Sequence, residues 1–196
     1  MVKRRKPKQE TGELRIIGGK WKRTRLTFPV LEGVRPTPSR VRETLFNWLT
    51  FDINGSHCLD LFSGSGALGL EALSRGAAQA WFVDLSPEIC QSLKQHINKL
   101  EANASVIQAS AIDTSNYAKQ VNHKPDIIFC DPPFNKNLVP DVIQGLEKTD
   151  WLTQGTQIYI ETEARLNDLT TPDSWELLRE KKAGDVIYRL YEVYKL

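Results

Sequence analysis

The chain has 196 residues, of which 40% are hydrophobic and 26% charged, with a formal net charge of +2. That size and apolar content predict one compact domain with a sizeable core, and no apolar run is long enough to cross a membrane. The start Met1-Val2-Lys3-Arg4-Arg5-Lys6 lacks the apolar stretch of a signal peptide, so the expected location is the cytoplasm. Cys58, Cys90 and Cys130 have neither a pairing number nor metal-ligand spacing, and His57, His96 and His123 form no ligand cluster in the sequence, so no metal is expected.

The charge is unevenly placed. Thirteen of the 26 basic residues fall in the first 48 positions, opposed only by Glu10, Glu13, Glu32 and Glu43, which leaves this quarter with a surplus of nine positive charges. Such a segment attracts phosphates in a salt-dependent way, and Trp21 and Phe28 add rings between the charges. Residues 1–12 read as a basic flexible tail, and residues 13–36 as a basic extension built on a hairpin. Its strands are Leu14–Ile17 and Lys20–Leu26, around Gly18-Gly19. Arg35-Pro36-Thr37-Pro38 must be extended, and Ser39 is placed to cap a helix with Val41, Leu45, Phe46, Trp48 and Leu49 at helical spacing. Arg35, Arg40 and Arg42 are candidates to line the mouth of a site, with surface charge or pairing to Glu43 as the alternative.

From residue 56 onward strands and helices alternate. Strand 57–61, helix 67–75, strand 80–84, helix 87–101 and strand 104–108 are followed by a variable stretch holding Tyr117 and by strand 126–130. A helix near 137–147, strand 156–161 and a closing hairpin of 175–178 with 186–194 around Lys182-Ala183-Gly184-Asp185 complete the chain. This order implies a mostly parallel seven-stranded sheet with helices on both faces and an antiparallel hairpin at its end. Ligands of such sheets lie at the carboxyl ends of the strands, where Asp60, Asp84, Ser110 and Asp131 all fall.

Two motifs there carry chemistry. Gly64, Gly66 and Gly69 fit a G-x-G-x-x-G loop between a strand and a helix, a nucleotide-type turn. Asp60 at its mouth would repel a pyrophosphate but attract the ammonium and sulfonium of S-adenosylmethionine, and Asp84 stands where a carboxylate holds ribose hydroxyls; alternatively either Asp84 or Ser86 caps the next helix. Asp131-Pro132-Pro133-Phe134 follows the buried run Ile127–Cys130. An acid and a proline carbonyl accept both N–H bonds of an exocyclic base amine while Phe134 stacks on the base; an ordinary strand-end turn is the plain alternative.

A parallel sheet with Asp60-Leu61-Phe62-Ser63-Gly64-Ser65-Gly66 first and Asp131-Pro132-Pro133-Phe134 after the fourth strand resembles the Rossmann-like S-adenosylmethionine-dependent methyltransferases over residues 56–196. Arg15-Ile16-Ile17-Gly18-Gly19, Arg35-Pro36-Thr37, Arg40–Trp48, Gly64–Ala72 and Tyr188-Arg189-Leu190-Tyr191 narrow the resemblance to the bacterial RsmD family, from about residue 13 to the C-terminus. The resemblance implies methyl transfer from S-adenosylmethionine to guanine N2 in 16S rRNA of the 30S subunit, with S-adenosylhomocysteine as product and a monomeric enzyme. Residues 37–196 would then be the methyltransferase domain.

It also implies the site. Asp131, Pro132, Pro133 and Phe134 would be catalytic; Asp60, Phe62, Gly64, Gly66, Asp84, Leu85, Ser110 and Ala111 would hold the cofactor, with Asp113 as the alternative to Ser110 at the adenine. Arg15, Lys20, Trp21, Lys22, Arg23, Arg35, Thr37 and Arg40 would contact RNA. Three other readings use parts of the pattern: an adenine-N6 methyltransferase, an NAD-dependent enzyme, which leaves Asp60 and Asp131 unexplained, and a non-catalytic rRNA-binding assembly factor.

Overall fold

The computed structural model describes residues 10–30, 37–165 and 169–194, so the basic tail up to residue 9 and the predicted RNA contact Arg35 lie outside the described residues. Strands β1 (Thr11–Arg15) and β2 (Arg25–Pro29) form a small antiparallel sheet. The main sheet holds β3 (His57–Leu61), β4 (Gln79–Asp84), β5 (Ala104–Gln108), β6 (Ile127–Cys130), β7 (Gln157–Glu163), β8 (Trp175–Ala183) and β9 (Val186–Val193) in the order β5-β4-β3-β6-β7-β9-β8. The first five are parallel, and β9 runs antiparallel between β7 and β8. Helices α1 (Ser39–Trp48), α2 (Ala67–Ser74), α3 (Pro87–Leu100) and α4 (Val139–Glu147) cover it.

The central strands are apolar at nearly every position because both faces are covered. Phe82, Phe129 and Tyr159 point into a core shared with α1, α2, α3 and the β1/β2 sheet, through Phe46, Leu70, Leu93, Leu26 and Phe28. Trp81, Val83, Ile128 and Ile158 point the other way, against Val142 and Leu146 of α4, Tyr117 and Trp151. Full burial of each such side chain contributes about 1.5–3 kcal/mol. The variable stretch after β5 folds as two short 3-10 turns, anchored by Tyr117, whose hydroxyl donates to the Ala111 carbonyl at 2.8 Å. Ser86 caps α3 as predicted, its Oγ accepting from the Ile89 N–H at 3.2 Å with Pro87 at the first helical position.

Two local expectations are corrected. The sequence predicts strands over 14–17 and 20–26 around a glycine turn, whereas the paired residues run outward from Arg15↔Arg25, and residues 16–24 form a loop. That loop is claimed by α2. Lys20 N–H donates to the Ser74 carbonyl at 2.7 Å, Trp21 N–H donates to Ser74 Oγ at 3.0 Å, and Ser74 Oγ donates to the Gly18 carbonyl at 2.6 Å. A Cβ on Gly19 would lie 1.7 Å from the Ser74 oxygen, so glycine is needed there for backbone approach.

The second correction concerns α1, where Pro38 occupies the cap position and no side chain caps the helix. Its neighbour Arg42 is buried at 2% exposure instead of lining a mouth: it faces Glu71 at 3.3 Å and donates to the Arg15 carbonyl at 3.0 Å.

Candidate active site

Strands β3 and β6 are neighbours in the sheet but lie far apart in sequence, so the order reverses between them and the connections leave in opposite directions. A crevice opens at their carboxyl ends. It holds a cavity of about 590 Å³, within the size range of cofactor sites. Asp60, Phe62, Gly64, Asp84, Leu85, Ser110, Ala111, Thr37 and the whole of Asp131-Pro132-Pro133-Phe134 line it, and among the described lining residues there is no Lys, Arg or His.

The glycine loop is shaped from inside. Asp60 is only 2% exposed, and its Oδ2 accepts the Gly69 N–H at 2.8 Å. Burial pushes its carboxyl well above the usual range; the Gly69 N–H opposes this, while Asp131 and Asp84 add to it. A Cβ on Gly69 would lie 2.4 Å from the Phe82 ring and 3.0 Å from Asp60 Oδ2, which accounts for the third glycine by packing. Gly66 does not line the cavity; with φ of 77° it turns the chain into α2.

Asp84 joins the loop to the next helix, its Oδ2 accepting the Gly64 N–H and its Oδ1 the Ser86 N–H, both at 2.9 Å. Ser110 lines the cavity, whereas Asp113 is not among its lining residues and is exposed and engaged by Ser115 and Asn116.

At the Asp-Pro-Pro-Phe motif, Asp131 stands at the end of β6 with its Oδ2 accepting the Thr37 hydroxyl at 3.0 Å. Burial raises the Asp131 carboxyl to about 6, and the Thr37 hydrogen bond opposes the rise. Pro132 is buried, and Phe134 lines the cavity while remaining 37% exposed. Thr37, predicted to contact RNA, is thus a partner of Asp131.

Several lining residues have no signal of their own in the sequence. Ser63 fixes the loop by donating to the Asp60 carbonyl at 2.6 Å and to Val83 at 3.1 Å. Phe62, by contrast one of the predicted cofactor residues, lines the cavity and adopts φ of 57°, an uncommon conformation for a residue with a side chain. Val83, Ala109, Ile112 and Leu138 add apolar wall and Asn135 a polar edge, residues that only the fold assembles beside the motifs.

The basic residues lie elsewhere. The loop carrying Lys20, Trp21, Lys22 and Arg23 docks at the C-terminal end of α2, whereas the cavity lies at its N-terminal end, roughly 10 Å away along an eight-residue helix. Lys20, Lys22 and Arg23 are exposed, and Lys20 Nζ sits 4.2 Å from the centre of the Trp21 ring. Arg15 is exposed at the end of β1, and Arg40 is exposed in the first turn of α1, three residues from Thr37.

Known proteins share this arrangement. The family described as Conserved hypothetical protein 95 matches residues 14–192. Ribosomal RNA small subunit methyltransferase D of Escherichia coli strain K12 is 45% identical over 183 residues, 93% of this chain and 91% of its own. The protein of the same name from Haemophilus influenzae is 45% identical over 186 residues, 92% of this chain and 94% of its own. Among solved structures, the putative methyltransferase yhhF of Escherichia coli superposes with a TM-score of 0.83 at 43% identity, covering 93% of this chain and 99% of that one. With a family match over most of its length and relatives this similar across their whole extent, the chain belongs to the RsmD family of small-subunit rRNA methyltransferases, on the Rossmann-like methyltransferase fold.

Proposed function

We propose that the protein transfers a methyl group from S-adenosylmethionine to the exocyclic N2 amine of a guanine in 16S rRNA, within the 30S particle. The observation that carries this reading is the cavity itself: three carboxylates, no lining cation and an open aromatic ring beside an Asp-Pro-Pro turn. A site lined by acids and no cation favours a guest with ammonium and sulfonium groups, whose approach also favours the ionised acids, over a pyrophosphate, and the residues present fit the methyl donor. The choice of guanine rests on the resemblance to RsmD.

When bound, S-adenosylmethionine supplies the methyl as a sulfonium electrophile. Asp60 and the Gly64 loop face its methionine part, Asp84 its ribose, and Ser110 with Ala111 the adenine edge; Phe62 and Leu85 add apolar wall. Asp131 and the Pro132 carbonyl accept the two N–H groups of the amine, Pro133 stiffens the turn, and Phe134 stacks on the extruded base. After methyl transfer to the amine, the surplus N–H proton would pass to Asp131 and from it to water. Positioning supplies much of the rate.

Lys20, Lys22 and Arg23, with Arg15, Trp21 and Arg40, form the RNA-facing surface, the first three reaching phosphates about one helix length from the reacting base. The enzyme acts as a cytoplasmic monomer, and no helix of the described residues is long and apolar enough to cross a membrane.

The direct test incubates the protein with methyl-labelled S-adenosylmethionine and either unmodified 30S subunits or their extracted RNA, then identifies the labelled nucleoside by mass spectrometry. N2-methylguanosine is expected; N6-methyladenosine would transfer the assignment to adenine, and cofactor binding without label would leave a binding role. Two variants test the parts. Asp84→Ala is expected to weaken cofactor binding on the order of tenfold by calorimetry, through loss of a charged acceptor and of the Gly64 tie. Neutralising Lys20, Lys22 and Arg23 together should lower the slope of log affinity for RNA against log salt by about 2–3, and an unchanged slope would remove this loop from the interface.

A further inference from the structure

Beside the catalytic motif stands a second acid that the mechanism so far does not use. Cys130 pairs with Ile160 across β6 and β7, so the next residues, Asp131 and Glu161, sit side by side at the strand ends and point to the same face. Glu161 is 3% exposed, and its Oε1 accepts the Tyr159 hydroxyl at 2.8 Å.

Among the described residues, the groups around the pair come from five elements. Asp131 comes from β6, Tyr159 from β7 itself, Tyr188 from β9 as the register partner of Glu161, Thr37 from the segment before α1, and Asp60 from β3. Cys130 lies on the same strand as Asp131 and feels both acids. Arg189, the register partner of Ile160, instead holds Thr162 at 3.0 Å and Glu180 at 2.6 Å.

We propose that Glu161 is a positioning residue of the transfer reaction: it carries the one proton that the Asp131–Glu161 pair shares near neutral pH, and so leaves Asp131 as the ionised acceptor facing the amine. Two carboxyls this close and this dry do not both ionise. The proton belongs on Glu161 because Thr37 donates to Asp131 and favours its anion, while Glu161 is the more deeply enclosed. Burial and the neighbouring Asp131 charge push the Glu161 carboxyl well up, in the direction the geometry requires, and the Tyr159 hydroxyl only partly offsets this. A neutral Glu161 also lets the buried strand end pack without a second unpaired charge. The proposal rests on the methyl-transfer reading of Asp131, but its protonation claim can be read without any RNA.

Isotope-edited infrared spectra of protein labelled only at its glutamate carboxyls, with S-adenosylhomocysteine bound, should show a protonated glutamate carboxyl near neutral pH. Glu161→Gln should remove that signal, and Asp131→Asn should move its titration to lower pH because the neighbouring charge is gone. In turnover on whichever RNA accepts label, Glu161→Ala should lose on the order of tenfold in kcat with little change in cofactor affinity. Gln, with the shape and neutrality of the protonated acid, should restore it to within about threefold. Absence of the protonated signal in the unaltered protein, its survival in Glu161→Gln, or a Gln variant as slow as Ala would each overturn the proposal. A failure of the guanine assignment alone would leave the infrared result standing.

Discussion

Replacing Asp131 by Ala is expected to lower single-turnover methyl transfer by a factor on the order of 10² to 10³, the usual loss when one preorganised partner of the reacting group is removed. S-adenosylhomocysteine binding should change little, since the glycine loop, Asp84 and Ser110 form the rest of the cavity wall without it. Under the proposed transfer to a base amine, the physical reason lies in that amine. Its lone pair is delocalised into the purine, and an acceptor on its N–H favours the nucleophilic, more tetrahedral nitrogen and stabilises the charge that develops on it. The ionised carboxylate is the effective acceptor, so the sign of the pH dependence follows from its position. Burial raises Asp131 to about 6, and as pH falls through that value the acid gains its proton and ceases to accept through that oxygen. Turnover should therefore rise through pH 6 and level off above it. Thr37→Val, which removes the hydroxyl that favours the anion, should move the rise to higher pH. Retention of full turnover in Asp131→Ala would assign the motif to strand-end turning alone.

How much of this could be read from the chain follows from the range of the forces involved. The order of strands and helices was legible because periodic burial is a local pattern, and strand 104–108 matches to the residue. The crevice acids were legible because strand ends are marked by the change from apolar to polar residues. The partners of those acids were not. Thr37 lies 94 residues from Asp131, and Glu71 lies 54 from Ile17; nothing local in either segment encodes the meeting. The same blindness explains the hairpin. Gly18-Gly19 reads as a turn by composition, yet the glycines serve a close approach to the end of α2, a tertiary demand that overrides the local one. Arg42 illustrates the limit for charge, since a basic residue on a helix next to other basic residues looks like surface until its buried counter-charge is seen.

That counter-charge gives the largest expected effect on stability. Glu71 is fully buried and accepts from Arg42 at 3.3 Å, from Arg75 at 2.8 Å and from the Ile17 N–H at 2.9 Å. Glu71→Ala would leave the Arg42 guanidinium buried without its counter-ion, and desolvation already weighs against that charge while Glu71 supports it. Stranding one partner of a buried pair costs about 3–5 kcal/mol, or on the order of 10 °C in melting temperature for a chain of this size. Replacing both partners together, as Glu71→Leu with Arg42→Met, should recover much of the loss, because an apolar pair strands no charge. The effect should reach the site as well. Arg42 Nε donates to the Thr37 carbonyl at 3.3 Å, and the Thr37 hydroxyl in turn holds Asp131, so the pair connects α2 to Asp131 by way of Thr37. Urea unfolding with turnover measured well below the midpoint separates the two consequences. Glu71→Ala should unfold at markedly lower urea and also turn over more slowly while still folded. Equal midpoints for the variant and the unaltered protein would mean that Arg42 finds another partner and that the chain from Glu71 to Asp131 does not bear on the fold.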